Sequence, residues 1–121
     1  MAGSFFSVDV VTPEAVVWQG QADFVLTRTT EGEMGVLADH EPTMAALATG
    51  AVSIRGEEES ISVGVHGGFL QVYRNQVTLL TDRAEISKEG HADAQRLASM
   101  LRESEEDESE EDESEEDESE S

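Results

Sequence analysis

The chain has 121 residues, no cysteine and a formal net charge of -21, which leaves room for one domain and excludes both disulfides and thiolate metal sites. Residues 1–102 carry 14 acidic and 7 basic side chains, and residues 103–121 carry the other 14 acids and no base. Seven scattered bases cannot neutralise a phosphate backbone, so we expect no nucleic-acid partner. No stretch approaches the roughly 18 consecutive apolar residues of a spanning helix, so membrane association must run through a protein partner.

The pattern of residues 5–86 predicts a series of short β-strands. Apolar residues alternate with polar ones over residues 6–10 and again over residues 61–65, which is the period of a half-buried strand. Two further apolar runs flank a short connection around Asn75 that suits a hairpin. Short strands separated by turns marked with Gly or Asn predict an antiparallel sandwich or barrel.

After Glu85 the apolar period changes to that of a helix. Ala94, Leu97, Ala98 and Leu101 stand at positions i, i+3, i+4 and i+7, so they form one apolar stripe on a helix of about three turns. Such a helix is too short to be stable alone in water. We therefore expect the β domain or a partner to cover the stripe.

The last segment of the sequence is an acidic repeat. Residues 103–121 repeat Glu-Ser-Glu-Glu-Asp three times and end in Glu-Ser-Glu-Ser. The segment has no apolar residue to bury and its like charges repel one another, so we predict that it is disordered. A calcium loop needs a glycine for its sharp turn, which the repeat lacks, so we expect loose cation binding and no specific metal site.

The three histidines raise the question of an enzyme. His40, His66 and His91 have no spacing that would bring two metal ligands onto one face, and we expect three independent surface or turn histidines. The sequence has no Gly-x-Ser-x-Gly elbow and no Gly-x-x-x-x-Gly-Lys phosphate loop. We predict no catalytic residue and no cofactor, although a Ser/His/Asp triad or a small cupin-type metalloenzyme stays open because such groups converge only in space.

Two segments go beyond a generic β pattern. The first runs from Glu31 through Gly-Glu-Met-Gly-Val to Pro42, and the second begins with Gly67-Gly68-Phe69 and continues to Ala84-Glu85. Together they resemble the epsilon subunit of F-type ATP synthases, where a Gly-Glu-apolar-Gly-apolar turn, a His, a Pro and a Gly-Gly-Phe strand recur in this order. The resemblance covers about residues 5–86.

The resemblance implies both a fold and a function. The expected fold is mainly β: a ten-stranded antiparallel β-sandwich over residues 5–86, then one short α-helix over residues 87–102 and the disordered repeat. The expected function is that of a non-catalytic central-stalk (rotor) subunit, peripheral on the cytoplasmic face of the cell membrane. Such a subunit binds gamma and the c-ring, meets the catalytic head only indirectly, and couples proton transport to ATP synthesis.

The resemblance also implies where the partners bind. It places the contact with the c-ring and gamma in the segment 31–42, with Glu33 towards a c-ring loop and His40 nearer gamma. The alternative is an ordinary turn whose charges point to water. The implied contact residues are Glu31, Gly32, Glu33, Gly35, Asp39, His40 and Pro42.

The C-terminal part departs from the family. Typical members follow the sandwich with two helices that can inhibit ATP hydrolysis, and some bind ATP through Ile-Asp-x-x-Arg-Ala. Here residues 90–95 read Gly-His-Ala-Asp-Ala-Gln, without the acid and the arginine of that motif, so we expect no ATP binding. A free-standing acidic adaptor that binds basic proteins through its tail is the alternative function.

Overall fold

The computed structural model describes residues 4–87 and 89–103. Apart from Glu103, the segment predicted to be disordered lies outside these residues. Seven strands are followed by one helix, α1, over residues 91–103. The strands are β1 Phe6–Val11, β2 Val16–Thr29, β3 Gly32–Val36, β4 Thr43–Ala46, β5 Gly50–Gly56, β6 Ser60–Tyr73 and β7 Gln76–Ser87.

The strands form one hydrogen-bonded path that folds into two layers. The order is β1-β7-β6-β5-β2-β3, β4 pairs with β6, and β1 also pairs with β2, so the path returns on itself. The first layer contains β1, β4 and residues 16–22, 68–73 and 76–81 of the three long strands. The second layer contains β3, β5 and residues 22–29, 60–65 and 84–87 of the same strands.

Two of the long strands, β2 and β6, pass from one layer to the other at an irregular point. In β2 the register shifts between Ala22 and Phe24, a bulge that bends the strand. In β6 the bend falls at Gly67 and Gly68, whose φ angles are +74° and +107°. A Cβ on Gly68 would lie 2.0 Å from the carbonyl oxygen of Leu80, so only glycine fits this position.

These bends correct the predicted strand number. The described residues contain seven strands, not ten, because β2, β6 and β7 each supply a segment to both layers. The prediction of a purely antiparallel sheet is also wrong, since β1 and β7 run parallel. Alternation of apolar residues shows which side chains face inward but does not show the direction of the neighbouring strand.

The core lies between the two layers. It is built from the inward-facing residues of the strands, and the largest side chains that are fully buried are Phe6, Ile54, Leu70 and Leu79. The inward positions change from odd to even numbers along β6, since Val63 and Val65 precede the bend and Leu70 and Val72 follow it.

The predicted helix is present with its apolar stripe, but it begins at residue 91 and not at the predicted residue 87, because Ser87 is the last residue of β7. Ala94 and Ala98 are completely buried, and Leu97 and Leu101 are half-buried. The stripe packs on the outer face of the second layer, where a Cβ on Gly64 would lie 2.5 Å from the carbonyl oxygen of Ala94. The second layer of the sandwich therefore covers the apolar stripe of the helix.

Candidate functional site

The segment 31–42 is an edge strand followed by a loop, rather than one loop. It begins at the turn between β2 and β3, where Thr29 pairs with Gly32. The Thr29 hydroxyl donates to the carbonyl of Gly32 at 2.8 Å and accepts from the backbone N–H of Glu31 at 3.1 Å. Glu33 is exposed and lies across from Arg28. The predicted residues Glu31, Gly32 and Glu33 thus form the tip of this hairpin.

Gly35 lies further along the same edge strand. It is exposed, but a Cβ at this position would lie 3.1 Å from the ring of Phe24. The glycine therefore makes room for an aromatic ring on the outer face of the second layer. This contact gives Gly35 a structural role besides the predicted contact with a partner.

The loop after β3 is tied to the turn between β6 and β7. The backbone N–H of Asp39 donates to Oδ1 of Asn75 at 2.6 Å, and Nδ2 of Asn75 donates to the Asp39 carboxylate at 3.0 Å. Asp39 and Asn75 both have positive φ, at 63° and 61°, a conformation that Asp and Asn tolerate better than most residues. The loop conformation is thus fixed by a reciprocal side-chain contact.

His40 and Pro42 occupy the exit from this loop. The backbone N–H of His40 donates to the carbonyl of Leu37 at 3.2 Å. Its ring Nδ1 lies 2.8 Å from the carbonyl oxygen of Glu41, which can only accept, so Nδ1 carries the proton. Pro42 is exposed. The structure therefore places the predicted residues at the two ends of β3, separated by about 13 Å of strand at about 3.3 Å per residue.

A second surface, whose residues sequence reasoning did not identify, covers the outer face of the first layer. One row of apolar residues crosses this face from strand to strand. Phe69 lies between Ala46 and Leu80, and Val11 lies between Leu80 and Val16. Phe69, Leu80 and Val16 are 53%, 49% and 59% exposed. An exposed apolar row of this kind commonly marks an interaction surface.

The rest of this face is polar but almost without charge. Asp9 is its only charged residue among the described strands of the first layer, and its carboxylate accepts from Nε2 of Gln19 at 3.0 Å and of Gln76 at 3.3 Å. We call this surface the uncharged face. Its outward residues are Ser7, Asp9, Val11, Val16, Gln19, Gln21, Met44, Ala46, Phe69, Gln71, Tyr73, Gln76, Thr78 and Leu80.

The loop and the uncharged face meet at one corner of the molecule. Asn75, which holds Asp39, follows directly on Tyr73 and Arg74 at the end of β6, and Tyr73 is 51% exposed on the uncharged face. A groove of about 490 Å³ lies beside the apolar row, at the edge of the uncharged face away from Tyr73, and is lined in part by Pro13, Phe69 and Leu80. The uncharged face thus extends from the Asp39 loop to this groove.

The histidines do not form a common site in the described part of the chain. His66 contacts the hydroxyl of Thr49 at 2.7 Å, and His91 contacts the hydroxyl of Ser53 at 3.1 Å. No group of three His, Cys, Asp or Glu residues that could hold a metal occurs within residues 4–87 and 89–103. In the same ranges no helix is long and apolar enough to cross a membrane.

The fold and these surfaces define a two-layered β-sandwich with an exposed apolar row on one face, and the comparisons with known proteins identify its family. The family described as "ATP synthase, Delta/Epsilon chain, beta-sandwich domain" matches residues 5–87. The chain belongs to the ATP synthase epsilon chain family. It is a non-catalytic subunit, as the resemblance in the sequence predicted.

Individual relatives agree with this assignment. The chain is 41% identical over 101 residues to the ATP synthase epsilon chain of Alkalihalophilus pseudofirmus, covering 84% of this chain and 76% of the relative. It is 43% identical over 102 residues to the epsilon chain of Mycobacterium sp. strain KMS, covering 83% and 80%.

Solved structures show the same architecture. A chain in the Euglena gracilis mitochondrial ATP synthase (OSCP, F1 and c-ring) matches with a TM-score of 0.66 and 28% identity, covering 85% of this chain and 67% of that one. A chain of the Tetrahymena thermophila mitochondrial ATP synthase central stalk and c-ring matches with a TM-score of 0.59 at 15% identity, covering 70% and 69%. The second similarity concerns the fold alone.

Proposed function

We propose that the chain is a central-stalk (rotor) subunit of a proton-driven ATP synthase that binds the gamma subunit and the c-ring and couples proton transport to ATP synthesis. The uncharged face is the observation that carries this proposal. On a chain with a net charge of -21, one face presents Phe69, Leu80 and Val16 and a single carboxylate. Interface centres are depleted in charge and enriched in large apolar side chains.

We assign the uncharged face to gamma and the hairpin tip to the c-ring. The hydrogen bonds between Asp39 and Asn75 support a position of the His40 loop beside the uncharged face, and hence near gamma. Glu31 and Glu33, at the other end of β3, are exposed carboxylates suited to a polar or basic c-ring loop. The subunit is peripheral on the cytoplasmic face of the membrane and is held there through the complex.

Replacement of one outward apolar residue tests the assignment to gamma. Leu80→Asp places a charge in the middle of the apolar row, and burying an unpaired carboxylate in an interface is costly. We expect the amount of gamma that co-purifies with the tagged chain from membranes to fall about tenfold or more.

The matched control is Met100→Asp on α1. Met100 is 50% exposed, as Leu80 is at 49%, but it lies on the helix that covers the second layer. This variant should retain gamma as the wild-type chain does, and both variants should unfold at the wild-type temperature. Full retention of gamma by Leu80→Asp would contradict the assignment, and recovery of basic proteins without synthase subunits would favour the acidic adaptor.

A further inference from the structure

The backbone of α1 packs unusually close to the second layer of the sandwich. A Cβ on Gly64 would lie 2.5 Å from the carbonyl oxygen of Ala94 and 2.8 Å from the backbone nitrogen of Ala98. These atoms belong to the helix backbone, so they cannot turn aside as a flexible side chain would. Ala51, the cross-strand neighbour of Gly64, is 5% exposed. Small residues on both elements thus let the helix backbone approach the sheet.

A side chain of the helix completes the hydrogen bonding of the sheet. Ala51 lies before the part of β5 that pairs with β2, which begins at Ser53. The backbone N–H of Ala51 instead donates to Oε1 of Gln95 at 2.7 Å. If the helix left, this N–H would lose its partner in the protein, and the buried Ala94 and Ala98 would be exposed to water.

The start of the helix is held by a second set of polar contacts. The Ser87 hydroxyl, at the end of β7, donates to Oδ2 of Asp93 at 2.6 Å and accepts from the N–H of Glu89 at 3.1 Å. The other oxygen of Asp93 accepts from Arg96 at 2.6 Å. His91 contacts the hydroxyl of Ser53 on β5. Both β5 and β7 therefore hold the first turn of the helix.

We propose that α1 is a fixed clasp, which remains on the second layer while the subunit works and does not exchange between docked and released positions. The close seat at Gly64, the bond from Ala51 to Gln95 and the contacts of Ser87 with Asp93 act together, so release would break all three at once. The clasp keeps residue 103 on the opposite side of the sandwich from the uncharged face. The proposal does not depend on which partner binds that face.

Amide hydrogen exchange of the full chain tests whether α1 stays packed on the second layer. In the wild-type chain we expect the amides of residues 95–102 to exchange as slowly as other amides of the second layer. Gly64→Val inserts a side chain from the sheet, and Ala98→Gln inserts one from the helix without altering the sandwich core. Each should speed exchange over 95–102 by about tenfold or more, while amides of β1 keep their protection.

Gln71→Val is the matched control for the sheet variant, because Gln71 is an exposed outward residue on the other half of β6. This variant should leave exchange over 95–102 unchanged. The clasp is ruled out if the wild-type helix exchanges far faster than the sandwich, or if Ala98→Gln leaves its protection intact. Ala98→Gln keeps the test valid even where Gly64→Val prevents folding.

A covalent lock tests the clasp in the working complex. The chain has no native cysteine, so Ser53→Cys with His91→Cys introduces a single pair in place of two side chains that are 3.1 Å apart. We expect oxidation of this pair in the reconstituted synthase to leave the rates of ATP synthesis and hydrolysis unchanged relative to its own reduced form. A several-fold change in either rate on oxidation would show that the helix must move, and would overturn the proposal.

Discussion

Thr27 is a buried residue whose hydroxyl makes no hydrogen bond. Its Oγ1 has no partner among the described residues, and the residue is 1% exposed. A buried hydroxyl without a partner costs free energy, and a methyl group of the same shape does not. We therefore expect Thr27→Val to raise the free energy of unfolding by about 1 kcal/mol, measured by urea denaturation.

Thr29→Val on the same strand is the control for this prediction. Thr29 also faces inward, but its hydroxyl bonds both Gly32 and Glu31. Its replacement should lower the free energy of unfolding by about 1–2 kcal/mol. If Thr27→Val destabilised the protein as much as Thr29→Val, the Thr27 hydroxyl would have to be bonded in solution.

Asp93 makes the packing of α1 on the sandwich dependent on pH. The hydrogen bond from Ser87, and after it the one from Arg96, lowers the pKa of Asp93 below its ordinary value of 3.8. Because the folded-state pKa is depressed, the stabilisation is fully present above pH 3.8 and is lost as the pH falls through the folded-state pKa. The charged form of Asp93 is thus the form that holds the helix start.

Amide hydrogen exchange of the Asp93→Asn variant, measured over a range of pH, tests the direction of this pH dependence. We expect helix residues 95–102 to be less protected in Asp93→Asn than in the wild type at neutral pH. The difference should remain constant down to about pH 4 and should vanish as Asp93 of the wild type becomes protonated. A difference that grew as the pH fell would contradict the argument.

At the scale of elements, the sequence predicted those parts whose pattern is local. The alternation in β1, the hairpin at Asn75 and the apolar stripe of α1 are set by neighbours along the chain, and the structure contains all three. The continuous length of β6 and its register against three other strands were not predictable. The chain bends at Gly67 and Gly68 but remains paired with β7 through that bend.

Gly68 is the position where this bend depends most on the absence of a side chain. Gly68→Ala would combine a φ of +107° with a Cβ 2.0 Å from the Leu80 carbonyl oxygen, and backbone strain alone costs about 1–3 kcal/mol. We expect the loss in free energy of unfolding to exceed that range, or the variant not to fold.

Gly32→Ala is a control that introduces backbone strain without a steric clash. Gly32 has a φ of +128°, but a Cβ there would have no atom within 4 Å. Its loss of stability should therefore stay within the range for strain alone, about 1–3 kcal/mol. Equal losses in the two variants, measured by denaturant unfolding, would show that the collision at Gly68 is relieved by movement of β7.

At the scale of the whole molecule, the surfaces are divided between the two layers. The helix covers the outer face of the second layer, and the uncharged face lies on the first. The composition of the uncharged face could not be predicted because it depends on the register of five strands at once. Its sequence signal is the set of adjacent apolar pairs Val10-Val11, Phe69-Leu70 and Leu79-Leu80, because one member of each pair must face outward from a strand. The resemblance indicated the segment 31–42 but not its division between the two ends of β3.

The hairpin tip and the His40 loop should affect coupling separately. Glu33→Lys reverses the charge at the proposed c-ring contact, and His40→Ala removes the ring near the proposed gamma contact. We expect each single variant to lower proton-driven ATP synthesis in membrane vesicles, and the double variant to lower it further, because the two positions are too far apart to compensate one another. The isolated variants should remain folded, with a free energy of unfolding within about 1 kcal/mol of the wild type.

A charge exchange distinguishes a contact with a partner from a contact within the chain. Glu33 lies across from Arg28, so Glu33→Lys also places two positive charges opposite one another, which destabilises a strand pair by about 0.2–1 kcal/mol. Arg28→Glu combined with Glu33→Lys restores an opposite-charge pair within the sheet, but the charge at position 33 of the hairpin tip stays reversed. If the tip meets the c-ring, synthesis should stay low in the exchanged variant. Recovery of synthesis to the wild-type rate would mean that Glu33 serves only its own hairpin, and the assignment of this surface would fail.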